Sequence, residues 1–138
     1  MKIKENDLLP NSEVFIIESG EPIKKSIEDF FKNKKVILFG VPGAYTSVCS
    51  KKHLPSYINM YDKLKEKGID HIICLSANDP FVMNAWGKDN NVDNKIIMLG
   101  DPFLKFTKDI GAEVDKSGRG LGIRSNRYLS LIHISEPT

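Results

Sequence analysis

Residues Val36–Pro55 read VILFGVPGAYTSVCSKKHLP. An apolar, β-branched run ends in Gly40, a Pro42-Gly43 turn follows, and a helical pattern takes over from Lys51. Strands that pass through a tight turn into a helix build sheets covered by helices on both faces. The same run places Cys49 just past the turn, with Thr46 three residues before it. A free thiol titrates near about 8.5, so little of it is nucleophilic at neutral pH. Unpaired backbone N–H groups in a first helical turn stabilise a negative sulfur. The spacing therefore predicts one pocket with a shield at Pro42, a hydroxyl at Thr46 and an activated nucleophile at Cys49.

Working outward, three more runs read as strands: Val14–Ile17, His71–Leu75 and Ile96–Leu99. The last two, like Val36–Gly40, are nearly continuous in apolar character, as strands covered on both faces are. Helix patterns lie between them. Ser26–Phe31 predicts a turn or more of helix with Ile27, Phe30 and Phe31 inward. Lys51–Lys67 carries Leu54, Tyr57, Ile58, Tyr61 and Leu64 at helical spacing, with Gly68 as the stop. Asn78–Lys88 predicts a helix capped by Asn78 or Asp79, with Pro80 in its first turn and Phe81, Val82, Ala85 and Trp86 as its apolar stripe. Pro102–Ile110 repeats the pattern, with Asp101 as cap, Phe103, Phe106 and Ile110 inward, and Gly111 closing. Val114–Arg127 reads as a long surface loop before a last strand at Tyr128–Ile132. The order is α/β: a central sheet flanked by helices.

At 138 residues and 41% hydrophobic content the chain makes one domain with a true core. The net charge of +2, from 20 basic and 18 acidic side chains, is too small and dispersed for a nucleic-acid footprint. No apolar run approaches the ~18 residues that mark a membrane span, and MKIKENDLLP has no hydrophobic signal segment. The two cysteines differ in setting. Cys74 lies in the apolar run HIICLS and reads as a core thiol. Two thiols without a cysteine framework suit a reducing compartment, and the cytoplasm is preferred over an organelle reached through a lost presequence.

Thr46 reaches either the thiolate or a bound oxygen substrate. Arg124 and Arg127, which follow a flexible loop, are better placed to set a positive charge over Cys49 than Lys51 or Lys52. His53 shares a helix face with Cys49 but lacks an orienting third residue, so it reads as a packed histidine rather than a base. Two cysteines and three scattered histidines give no metal-site spacing. CxxC, GxGxxG and the phosphate-loop pattern are absent, so no cofactor is expected.

Pro42–Cys49, PGAYTSVC, resembles the peroxidatic-cysteine motif of peroxiredoxins, and GVPGAYTSVCSKKHLPSY is similar to the atypical peroxiredoxin-5 subgroup of these redoxin-like proteins. CLSANDPFVMNAWGKD, LGDPFLKFTKDIG and GLGIRSNRY resemble further segments of that subgroup. The resemblance implies a thioredoxin-like fold, usually dimeric, in which Cys49 is the peroxidatic cysteine, Thr46 holds the peroxide, Pro42 shields the sulfur and Arg127 pairs with thiolate and peroxide, Arg124 being the second candidate for that role. It implies a thiol-dependent peroxidase for hydrogen peroxide and organic hydroperoxides, reduced by an external thiol such as glutathione, glutaredoxin or thioredoxin. A thioredoxin-fold disulfide reductase or glutathione transferase, and a noncatalytic redox sensor, are the alternatives. Asparagine- and lysine-rich composition suggests an apicomplexan source. The end, LSLIHISEPT, resembles a translated adapter fragment, which predicts a domain over 1–128, a non-native tail over 129–138 and incomplete C-terminal elements.

Overall fold

The structure is a computed structural model that describes residues 10–46 and 54–133. A six-stranded mixed sheet runs through its centre in the order β2-β1-β5-β4-β3-β8. β3 (Lys35–Gly40), β4 (His71–Ser76) and β5 (Ile97–Gly100) are parallel, whereas β1 (Glu13–Glu18), β2 (Glu21–Ser26) and β8 (Tyr128–His133) join antiparallel. This is the α/β sheet flanked by helices that the sequence predicts.

The apolar runs are continuous because both faces of the central strands are covered. In β4, Ile72 and Cys74 face one core with Phe39, Leu54, Met83 and Trp86. Ile73 and Leu75 face the other, with Val36, Leu38, Phe31 and Phe106. Side chains alternate along a strand, so every residue of such a run must be apolar. Helices α2 (Leu54–Glu66) and α3 (Pro80–Asp89) cover the first face; α1 (Glu28–Phe31) and α4 (Lys105–Asp109) cover the second. The stripe Leu54, Tyr57, Ile58, Tyr61 and Leu64 of α2 packs inward as its spacing requires, and Tyr57 stacks on Phe39 at 4.1 Å between ring centroids. Gly68, at φ 89°, ends the helix, and the next N–H, of Ile69, closes back onto the Leu64 carbonyl at 3.1 Å.

Several local expectations change. Glu21–Ser26, which the sequence reading leaves outside any element, is strand β2, closed onto β1 by a two-residue turn at Ser19 and Gly20 with φ 51° and 82°. That turn has the twist a hairpin needs. The buried stripe of α3 is Pro80, Met83, Trp86 and Gly87; Phe81 and Ala85 face outward. The helix lies so close to β5 that a Cβ on Gly87 would meet Met98 at 2.9 Å, and it is this close seat that sets the stripe. α4 begins at Lys105 rather than Pro102, because Leu104 takes a left-handed conformation, and Phe103 projects outward against Phe15. Asp101 still caps the helix: its carboxylate accepts from the backbone N–H of Phe106 and Thr107 and from the Thr107 hydroxyl. Val114–Arg127 is not a plain loop. β6 (Glu113–Asp115) and β7 (Ile123–Ser125) pair as a small second sheet around a short 3-10 turn at Ser117–Arg119. β8 pairs with β3 along its whole length, from Gly40 opposite Tyr128 to Lys35 opposite His133. The last strand, expected over Tyr128–Ile132, is thus present and lies at one edge of the sheet, opposite the β2 edge.

Candidate active site

The loop after β3 carries the candidate site residues Pro42 and Thr46. Val41 donates its N–H to the Leu75 carbonyl at 3.1 Å, which extends the β3–β4 ladder by one step. Pro42 and Gly43 are buried, and the chain then turns outward through Ala44 and Tyr45 to a half-buried Thr46. The Thr46 hydroxyl donates to the Gly43 carbonyl at 2.8 Å. A hydroxyl has one proton and two lone pairs, so this bond leaves the Thr46 oxygen as an acceptor. The backbone resumes its description at Leu54 in α2; Cys49, Lys51, Lys52 and His53 lie outside the described residues.

Three other elements grip this loop. From the β4–α3 connection, Asn78 accepts from the Ala44 N–H at 2.8 Å and from the Ser76 hydroxyl at 2.8 Å. Asn78 is therefore a loop anchor, and Asp79 is the α3 cap, accepting from Val82 N–H at 3.0 Å. From β7, Arg124 donates through Nε to the Leu121 carbonyl at 2.9 Å and through Nη1 to the Pro42 carbonyl at 3.3 Å. From the end of α3, Asp89 accepts the Tyr45 hydroxyl at 2.6 Å. Gly43 lets these groups close in: a Cβ there would sit 2.9 Å from Arg124 Nη1 and 3.2 Å from Thr46 Cγ2, so a side chain would push the arginine tip and the threonine methyl back.

Of the residues singled out in the sequence, Pro42, Thr46 and Arg124 come together. Arg127 is exposed and immediately precedes β8; since Tyr128 is paired with Gly40, its backbone lies beside the start of the site loop. Both arginines are thus at the C-terminal end of the parallel strands, where crevices of open α/β sheets bind ligands. Cys74 is fully buried in the core that holds Phe39 and Trp86, as its apolar run predicts. Asn78, Tyr45 and Asp89 escape sequence reasoning. The only local signal was Asn78 beside a competent cap, and such a residue reads as a second cap.

The redoxin family profile matches residues 4–133. Peroxiredoxin-2B of Arabidopsis thaliana is 41% identical over 127 residues, which cover 91% of this chain and 78% of the relative. The chain belongs to the peroxiredoxins. Two solved structures of that family agree in fold. Reduced Prx3 of Vibrio vulnificus in complex with hydrogen peroxide superposes with a TM-score of 0.90 at 43% identity, covering 95% of this chain and 82% of that one. Peroxiredoxin 5 of Alvinella pompejana gives a TM-score of 0.86 at 40% identity, over 95% and 83% of the two chains. Curated relatives include mitochondrial and chloroplastic peroxiredoxins. As a peroxiredoxin, the chain is a thiol-dependent peroxidase that reduces peroxides through a reactive cysteine. Among the described residues no helix is long and apolar enough to cross a membrane.

Proposed function

We propose that Cys49 is the peroxidatic sulfur and that Pro42, Thr46 and Arg127 complete its site, in a peroxiredoxin of the peroxiredoxin-5 type. The observation that carries this reading is the convergence of the Pro42–Thr46 loop with the arginine-bearing segment of β7 and β8 at one end of the parallel strands. Cys49 follows Thr46 by three residues and is one of only two sulfhydryls in the chain. The other, Cys74, is sealed in the core and has no route to a peroxide.

The chemistry follows from these positions. The Cys49 thiolate attacks the terminal oxygen of the peroxide in line with the O–O bond. That bond breaks, its electron pair leaves with the second oxygen, and a proton converts the leaving group to water or an alcohol. Thr46, its own proton given to Gly43, accepts from the peroxide O–H and aligns it. The Arg127 guanidinium stabilises charge where it develops, on the attacking sulfur and the leaving oxygen. Arg124, held on the Pro42 carbonyl, keeps the shield wall in place. The sulfenic acid left on Cys49 condenses with an external thiol, releasing water and forming a mixed disulfide, and a second thiol frees Cys49. Glutathione, glutaredoxin or thioredoxin supplies those thiols, because the burial of Cys74 leaves no described cysteine to resolve the intermediate. We assign the working form to a homodimer in a reducing compartment, the cytoplasm for preference.

Rapid-mixing measurement of hydrogen peroxide reduction tests the assignment. Cys49→Ser loses the fast reaction entirely and Cys74→Ser retains most of it. Equal loss in two folded variants would overturn the one-cysteine reading.

A further inference from the structure

We propose that Tyr45 and Asp89 form a strap that holds the peroxide loop in its working shape, making both positioning residues for the reaction at Cys49. This rests on the site reading above. Tyr45 occupies the left-handed region at φ 64°, a conformation that bulky residues adopt only when their surroundings impose it. The next residue is Thr46. If residue 45 relaxes to an ordinary φ, the chain direction changes there, and the Thr46 hydroxyl leaves the Gly43 carbonyl. Two contacts oppose that relaxation, one at each end of α3: Ala44 N–H on Asn78, and the Tyr45 hydroxyl on Asp89 at 2.6 Å.

Asp89 is the sharper part of the argument. It is the last residue of α3, where the helix dipole presents negative charge and an aspartate is unfavourable. It is exposed and makes no contribution to the core. A carboxylate that costs its own helix stability, yet receives a short bond from the loop beside Thr46, is placed for the loop. The bond to Asp89 is also the largest cause raising the Tyr45 hydroxyl above its ordinary pKa of 10.0, so the phenol remains a donor throughout the physiological range.

The test compares Tyr45→Phe, Asp89→Ala, Asp89→Asn and the Tyr45→Phe/Asp89→Ala pair in the full chain. The second-order rate of Cys49 oxidation by hydrogen peroxide is followed by rapid mixing. Sulfenic-acid reduction by glutathione and thermal midpoints are measured alongside. Tyr45→Phe and Asp89→Ala each lower the oxidation rate about five- to tenfold, about 1–1.4 kcal/mol of barrier, and the pair loses no more than either single change. Asp89→Asn stays within about twofold, because its amide oxygen still accepts the phenol. The reduction step is unchanged, and the midpoint of Asp89→Ala is equal to or above wild type, which a purely structural role cannot give. Unchanged oxidation in Tyr45→Phe, multiplicative losses in the pair, or an Asp89→Asn loss equal to that of Asp89→Ala overturns the strap. Full peroxidase activity in Cys49→Ser would instead overturn the underlying site, so the two failures are distinguishable.

Discussion

Replacing Gly40 by alanine probes the joint between the two halves of the site. Gly40 is the last residue of β3 and lies opposite Tyr128 on β8. A Cβ at this position would stand 2.1 Å from Tyr128 Cε2, 2.5 Å from Cζ and 2.7 Å from Cδ2. Carbon atoms normally pack at about 3.5–4.0 Å, so the ring must retreat by roughly 1.4 Å. It has little room. One edge of Tyr128 is partly exposed, but its hydroxyl is buried and its ring packs against the core of Val36, Leu38 and Phe106. Overpacking a filled site costs about 1–3 kcal/mol, and an overlap with a rigid ring belongs at the upper end. At about 3 °C per kcal/mol for a chain of this size, the thermal midpoint of Gly40→Ala falls by about 9 °C. The wedge also separates Arg127, next to Tyr128, from Pro42, so peroxide-driven oxidation of Cys49 slows in the fraction that remains folded. The assay is thermal unfolding of Gly40→Ala, Tyr128→Ala and the double variant. The double variant recovers about 2 kcal/mol relative to the sum of the singles, since the alanine methyl fills space the ring vacates. A Gly40→Ala midpoint within about 1 °C of wild type, or strictly additive losses, would refute the reasoning.

Other consequences are equally direct. Asp101→Ala strands the N–H groups of Phe106 and Thr107 and the Thr107 hydroxyl in a buried setting, which costs about 3 kcal/mol in urea unfolding at neutral pH; a loss under about 1 kcal/mol contradicts the capping role. Tyr128→Phe removes a buried hydroxyl that has no hydrogen-bond partner among the described residues, so its urea midpoint equals or exceeds that of wild type, and a clear drop would reveal a partner. His71 is held below its ordinary pKa of 6.5, first by burial and then by Lys34 and Lys65, against a smaller opposing effect of Asp70. The unfolded chain therefore binds the proton more readily than the folded one. The stability contribution of neutral His71 is complete above about pH 6.5 and is lost progressively as pH falls from there toward the lower pKa of the folded state. His71→Gln flattens this part of the urea-midpoint profile between pH 5.5 and 7.5; an unaltered slope assigns it to other groups.

The central strands and α2 are legible in the sequence because their burial is periodic. Ile72 to Leu75 must all be apolar when both faces are covered, and Leu54, Tyr57, Ile58, Tyr61 and Leu64 mark one side of a helix. Glu21–Ser26 is less legible. As an edge strand it is mostly exposed and carries lysines that pair with Glu13 and Glu18 across the hairpin. Its signal lay in the Ser19-Gly20 turn rather than in any apolar run. The α3 stripe is only partly legible: Trp86 is buried as its spacing requires, but the close seat of Gly87 on β5 turns Met83 inward and leaves Phe81 and Ala85 exposed.

The site divides in the same way. Pro42, Thr46 and Cys49 are separated by only a few residues. The proposed shield, hydroxyl and nucleophile are read from that spacing in the sequence alone. What grips the described part of the loop, 42–46, is not. Asn78, Asp89 and Arg124 reach the loop from 34, 44 and 82 residues away. Their partners are set by the register of parallel strands, the seating of α3 on the sheet and the closure of the β6–β7 hairpin. Residue type and local spacing carry no information about those distances, so the proposed motif is legible in the sequence and the anchoring of its loop belongs to the tertiary structure.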